Sequence, residues 1–280
     1  MEVFHVLRRV SGKKNISRGL LTPFSLCDKL KRKERFKMDE QRFLLACERV
    51  VGKAYERDTV GLLSEKTMHA TLKEYFEADH TFHEIKVGAF YADILRANEI
   101  TEIQTRSLCN LRKKLDLFLK DYAVTVVYPI PYGKNLIWLD RESGETSEKK
   151  RVGKKGSFFD AGRELWYLSD YLLHPRLSVR LLLIDVDEYR FLNKKGEKKH
   201  GTQRHDRIPL ALRGELLLEG RESFYALLPK NLPLPFTAKE FRKAVKGGPR
   251  TAPALLSVLM RVGVVKRVGK TGNAYLYEKV

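Results

Sequence analysis

The stretch Ala123-Val124-Thr125-Val126-Val127-Tyr128-Pro129-Ile130 constrains most how this chain can fold. It is almost continuously apolar, β-branched or aromatic, and it does not alternate. Such a run reads as a strand buried on both faces, as in a sheet covered by helices on each side. Just upstream, Leu108, Leu111, Leu115 and Leu119 recur at helical spacing and form one apolar stripe. A helix feeding a buried strand in this way acts as the crossover of a βαβ unit.

The preceding sequence completes an α/β pattern. Leu62, Met68, Leu72 and Phe76 predict a helix that Ser64 can cap. Residues 82–95 are alternating, β-branched and aromatic, and residues 100–105 form a second strand run, joined to the first by a short turn at Ala97-Asn98. The first domain, residues 38–131, is therefore expected to be α/β. Phe43, Leu44, Cys47 and Val50 give a helix at its start. Residues 1–37 are rich in Lys and Arg, with a run at 29–37. They read either as a basic tail or as sequence upstream of a true start at Met38, and both readings stand.

Residues 132–230 are expected to form a basic α+β middle region. A hairpin is predicted around residues 141–150, a helix over 159–173 stopped by Pro175, and an apolar strand over 176–192. Two basic loops are expected, at 149–155 and 194–207. The second holds His200, His205 and Asp206 and reads as a phosphate-binding loop or a solvated charge run. Trp166, Tyr167 and Tyr171 fall at helical spacing and are expected in the core. In residues 231–280, Thr237 is placed to cap a helix through Val245, Gly247-Gly248-Pro249 breaks it, and Thr251 caps a second helix with Pro253 in its first turn. Residues 264–268 and 274–280 then pair across a turn.

The 280 residues are 43% hydrophobic, enough to bury a core and more naturally two domains than one. Lys and Arg number 54 against 35 Asp and Glu, a formal charge of +19 that favours a polyanionic partner, nucleic acid being the commonest. Ribosome or anionic-membrane association is the bland alternative. No apolar run approaches a membrane span and no leader is evident, so a soluble cytoplasmic chain is expected. Cys27, Cys47 and Cys109 lack metal-ligand spacing and read as reduced core thiols.

The chemistry concentrates in the predicted hairpin. A turn at Ala97-Asn98 pairs Leu95 with Ile100, and the same register sets Asp93 opposite Glu102 and Tyr91 opposite Gln104. Opposed Cβ atoms lie about 5 Å apart, so the two acids repel unless a positive charge sits between them. A divalent cation with waters and a phosphate oxygen meets that need. Acids at the end of a hairpin are also commonly just solvated.

Asp93 followed by Glu102-Ile103-Gln104-Thr105, after a helix carrying Glu65 and before an α/β crossover, resembles the PD-(D/E)XK nuclease superfamily. The variant with Gln in place of Lys is similar to the nuclease domains of competence CoiA-like proteins. The resemblance covers about residues 60–131 and implies a restriction-endonuclease-like αβββαβ core. It implies that Asp93, Glu102 and the Ile103 carbonyl hold Mg²⁺ or Mn²⁺, that Glu65 reaches the same site, and that the reaction is hydrolysis of DNA phosphodiester bonds. Gln104 can orient phosphate and water by hydrogen bonds but lacks the charge of the usual lysine. Lys113, Lys114 and Lys86 are candidate substitutes, and His69 is a candidate orienting or proton-carrying group.

Residues 231–280 resemble a winged-helix domain. That resemblance makes Arg250, Ser257 and Arg261 of the second helix, and Lys266, Arg267 and Lys270 of the wing, candidate DNA contacts. The combined layout suits a bacterial defence, competence or repair nuclease. The alternative is a non-catalytic DNA-binding regulator or adaptor with a degenerate nuclease fold, and RNA stays open as the polymer.

Overall fold

The computed structural model describes residues 38–56, 67–192 and 204–280. Helix α1 (Glu40–Glu56) and helix α2 (Thr67–Phe76) are followed by β1 (His83–Val87), β2 (Phe90–Arg96) and β3 (Glu99–Ile103). The run expected as one strand over 82–95 is thus two. It folds back at Gly88, whose positive φ of 60° suits a tight turn that a Cβ-bearing residue enters at a cost. A 3₁₀ turn (Leu108–Leu111) runs into α3 (Arg112–Phe118), which delivers the chain to β4 (Ala123–Leu139). Leu108, Leu111, Leu115, Phe118 and Leu119 are all buried, so the expected stripe is the packed face of this crossover. Fully burying one such side chain contributes about 1.5–3 kcal/mol.

β4 pairs in parallel with β3 on one side and with β6 (Leu177–Phe191) on the other, and β7 (Arg204–Leu218) adds antiparallel to β6. The short β5 (Lys150–Arg151) pairs with β4, giving a seven-stranded mixed sheet whose main path is β1-β2-β3-β4-β6-β7. Residues Met38–Val280 form one compact unit, and the expected boundary between residues 131 and 132 falls inside β4.

The reason β4 runs on through Pro129 and Pro131 lies in its pairing. Gln104 N–H donates to the Val127 carbonyl, so odd-numbered residues of β4 direct their backbone groups towards β3, while Val124 N–H bonds the Arg176 carbonyl on the β6 side. β3 ends at Ile103. Beyond that point the two proline nitrogens, which have no hydrogen to donate, face a lane that β3 has vacated. Proline is tolerated on such an edge and at bulges, and the β4–β6 register does shift between Pro131 and Lys134.

Three more expectations are corrected. The helix predicted over 159–173 is a 3₁₀ turn (Phe158–Ala161) and α4 (Gly162–Tyr167), after which the chain continues in turns. Ser169 Oγ donates to the Trp166 carbonyl at 2.5 Å and competes for the backbone there. Trp166 is exposed rather than core. Residues 204–207, expected in a loop, begin strand β7, with His205 packed against Phe191; Lys194 and His200 lie outside the described residues.

The C-terminal residues form a second sheet of order β8-β10-β9, from β8 (Phe236–Thr237), β9 (Val265–Thr271) and β10 (Ala274–Lys279), with α5 (Ala238–Val245) and α6 (Thr251–Arg261) between β8 and β9. Thr237 and Glu240 form the capping box of α5, with Thr237 N–H donating to Glu240 Oε2 at 2.7 Å. α6 packs on α4 at Gly162, where a Cβ would lie 2.7 Å from Leu255 Cβ. Leu255, Val258 and Leu259 thereby join the core that includes Leu165 and Leu168.

Candidate functional site

The β2–β3 ladder pairs Ile94 with Thr101, Leu95 with Ile100 and Arg96 with Glu99, the register that the turn at Ala97-Asn98 predicts. One step further along, Asp93 and Glu102 engage each other's backbone through their carboxylates. Asp93 N–H donates to Glu102 Oε1 at 3.2 Å, and Ile103 N–H donates to Asp93 Oδ2 at 2.7 Å. Both acids are buried, Glu102 to 1% exposure. They are therefore not casual solvated residues of a hairpin end.

Two helices close on the pair. From α3, Lys114 Nζ donates to Glu102 Oε2 at 2.8 Å and to the Tyr91 carbonyl at 2.7 Å. From α2, His69 Nε2 lies 3.2 Å from Asp93 Oδ2. Burial, reinforced by the charge of Asp93, pushes the Glu102 carboxyl up to about 7 against the opposing pull of Lys114. One lysine thus does not neutralise the pair, and a further cation would favour the ionised form.

The donor set suits a hard divalent ion. Asp93 Oδ1 has no hydrogen-bond partner among the described residues. In an extended strand the N–H and C=O of one residue point the same way, so the Ile103 carbonyl faces the side from which Asp93 receives its N–H. Among the described residues no group of three His, Cys, Asp or Glu side chains is arranged to hold a metal. Two carboxylates and a backbone oxygen leave the remaining positions to water and substrate, a usual arrangement for Mg²⁺. Glu65 lies outside the described residues.

Gln104 does not turn to the acids. Its Oε1 accepts a hydrogen bond from Arg106 N at 3.3 Å. Of the three lysines considered in its place, Lys114 reaches the site; Lys113 and Lys86 are exposed and bond neither acid among the described residues.

Past the end of β3, an open cavity continuous with solvent is lined by Met68, Thr105, Pro129, Pro131, Ile184, Arg204 and Arg207, from α2, the stretch after β3, β4, β6 and β7. Both arginines belong to the basic stretch 194–207, which the sequence reads as a phosphate-binding loop or a solvated charge run without singling either out; residues 204–207 are strand. Glu188, fully buried in β6, organises this end. It accepts from Arg207 Nε at 2.7 Å and Arg190 Nη2 at 2.6 Å, and lies 3.7 Å from Lys134 Nζ. Burial alone would raise its pKa, but those cations hold it down at about 2.

On α6, Arg250, Ser257 and Arg261 fall on one exposed stripe opposite the buried Leu255 and Leu259. Arg261 is bound within the chain, its Nη2 2.5 Å from Asp170 Oδ1. Lys266, Arg267 and Lys270 of β9 are exposed, and Arg267 stacks 3.9 Å from the Tyr275 ring, with Lys270 at 4.7 Å.

A family model described as a domain of unknown function, DUF8091, matches residues 66–219. That segment holds the acid hairpin, α3 and the arginines of β7, and stops before the C-terminal sheet. An uncharacterized protein of Treponema pallidum (strain Nichols) is 28% identical over 223 residues, 79% of this chain and 88% of that protein. No solved structure matches the chain. No helix among the described residues is long and apolar enough to cross a membrane.

Proposed function

We propose that this chain, which belongs to the DUF8091 family, is a metal-dependent nuclease that hydrolyses DNA phosphodiester bonds at Asp93 and Glu102. The observation that carries the reading is a buried pair of facing acids at the carboxyl end of a parallel strand, incompletely neutralised by Lys114. Carboxyl ends of strands in open α/β sheets are where such proteins place their ligands. The order α2-β1-β2-β3-α3-β4 supports a restriction-endonuclease-like core of the PD-(D/E)XK kind, and β8-α5-α6-β9-β10 supports a winged helix.

Asp93 Oδ1, Glu102 and the Ile103 carbonyl would hold Mg²⁺ or Mn²⁺, which polarises a phosphodiester oxygen and acidifies a water. Lys114 supplies the positive charge that Gln104 lacks, beside the phosphate rather than from β3. His69 fixes the orientation of Asp93. The exposed cations of β9 and the α6 stripe draw the polyanion in without reading sequence. The non-catalytic alternative draws on two observations: the Gln104 side chain is turned to Arg106, and Lys114 occupies one Glu102 oxygen.

Cleavage of linear, single-stranded and supercoiled DNA with Mg²⁺ or Mn²⁺ tests the assignment. Asp93→Asn and Glu102→Gln retain an acceptor for the backbone N–H groups and lose the charge. Each is expected to abolish metal-dependent cleavage, as EDTA does, while Lys114→Ala reduces it by about 100-fold on the scale of a lost electrostatic stabiliser. Cleavage unchanged in the two acid variants refutes the site, and no cleavage by the intact chain under either metal leaves the DNA-binding adaptor.

A further inference from the structure

We propose that the open cavity past the end of β3 is a nucleotide site, in which Arg204 and Arg207 take a phosphate and the wall of Met68, Pro129, Pro131 and Ile184 takes the adjoining sugar and base. This deepens the nuclease reading by assigning where the nucleotide neighbouring the scissile phosphate rests. Its physical basis is separate from that of the acid pair.

The charge there is unbalanced. Arg106, Arg190, Arg207 and Glu188 lie within electrostatic reach of Arg204. Glu188 is taken up by Arg207, Arg190 and Lys134. Asp206, which also lines the cavity, accepts from the Thr67 hydroxyl and from Arg207 N. The Arg204 side chain has no hydrogen bond or ion pair among the described residues, yet it is only partly exposed. Its pKa is lowered, by burial first and then by the facing Arg207. A half-buried guanidinium that no carboxylate bonds among the described residues is costly, and a phosphate with two free oxygens matches its planar fork.

The rest of the cavity has the complementary character. Proline offers no backbone N–H, and Met68 and Ile184 are apolar, so the wall suits a sugar edge or a base face rather than a second anion. Thr105 contributes a hydroxyl at the rim. The placement also fits a strand passing through the acid site. Thr105 is three residues beyond Glu102, at most about 11 Å along the chain, and Met68 adjoins His69, which touches Asp93.

Binding of a fluorescent dT12 oligonucleotide to the full chain in EDTA tests the assignment without turnover, with unlabelled dTMP and inorganic phosphate as competitors. Arg204→Ala, whose side chain bonds nothing among the described residues, is expected to keep its fold by circular dichroism. It should weaken dT12 binding about tenfold, with Arg204→Lys intermediate because it restores charge but not the fork. Thr105→Trp leaves every charge in place, fills the cavity and should weaken binding comparably; it carries the test if Arg204→Ala fails to fold.

Competition by dTMP as strong as by unlabelled dT12 identifies a free nucleotide as the occupant, and dT12 competing far better identifies the strand. Folded Arg204→Ala and Thr105→Trp proteins that bind dT12 like wild type overturn the site, whatever happens to cleavage. A chain that loses binding in these variants but never cleaves retains the site and removes the nuclease reading.

Discussion

Replacing Glu188 by Gln should destabilise the chain and yet strengthen its hold on polyanions. Glu188 is fully buried and its carboxylate is shared by Arg207, Arg190 and Lys134, which depress its pKa from the ordinary carboxyl value of 4.5 to about 2. A shift of that size corresponds to about 3 kcal/mol of native-state stabilisation at neutral pH, taken as an order of magnitude. Because the folded pKa is the lower one, the contribution is fully present above about pH 4.5 and is lost as pH falls through about 2. At pH 3 roughly 1 kcal/mol of it remains. Urea unfolding of wild type and Glu188→Gln at pH 7 and pH 3 reads both numbers. The same substitution leaves Arg207, Arg190 and Lys134 without their shared anion, so dT12 binding in EDTA should tighten and its salt dependence steepen by up to about one charge. A stability difference under 1 kcal/mol at pH 7, or one that persists undiminished at pH 3, refutes the account of Glu188 as the anchor of this cluster.

Two further outcomes follow from packing and burial. Gly162→Val should cost about 1–3 kcal/mol by thermal or urea unfolding, since its Cβ would lie 2.7 Å from Leu255 Cβ and 2.9 Å from the Thr251 carbonyl, forcing α4 and α6 apart. The loss should be concentrated in C-terminal hydrogen-exchange protection, and unchanged exchange across α6 would contradict the role of this contact. At pH 8 a thiol reagent should modify exposed Cys109 readily, while Cys47, buried and pushed up to about 12 chiefly by that burial, reacts only after unfolding. Peptide mapping distinguishes the two, and rapid labelling of Cys47 in the folded chain would contradict its burial.

The parts of the fold legible in the sequence are those in which one face alone decides the pattern. The Leu108 to Leu119 stripe and the Leu95–Ile100 pairing were readable because burial is local and periodic there. The extent of β4 was not, because the run reads as a strand only to Ile130 and Pro131 reads as the start of the next region, whereas Pro129 and Pro131 both lie within the strand. Their compatibility depends on β3 having already ended, which is a fact of tertiary pairing. β7 was hidden for a related reason. As the last strand on the sheet's path it carries Arg204, His205, Asp206 and Arg207 in succession, and charged residues on edge strands look like loop. Asp185, Asp187 and Glu188, interrupting an otherwise apolar run in β6, were a usable signal that a polar cluster faced them.

The acid pair shows why a motif can be found without its role being decided. Asp93 and Glu102 each receive a backbone N–H from the opposite strand, so they serve the hairpin whether or not they serve a reaction. A neutral side chain can accept that hydrogen bond equally well. What a purely structural role leaves unexplained is the ionisable form of both residues in a buried place, where desolvation and then the charge of Asp93 push Glu102 up to about 7 despite Lys114 at 2.8 Å. Strain of that kind costs stability in the free protein and is relieved by a cation. The same logic applies to Arg204, a partly buried cation crowded by Arg207, Arg106 and Arg190, whose side chain bonds no anion among the described residues. On the proposed reading, the excess positive charge at Arg204 and the excess negative charge at Glu102, joined by the short stretch from Ile103 to Thr105, would be met by one ligand: a metal-associated phosphate chain whose next nucleotide enters the cavity lined by Arg204.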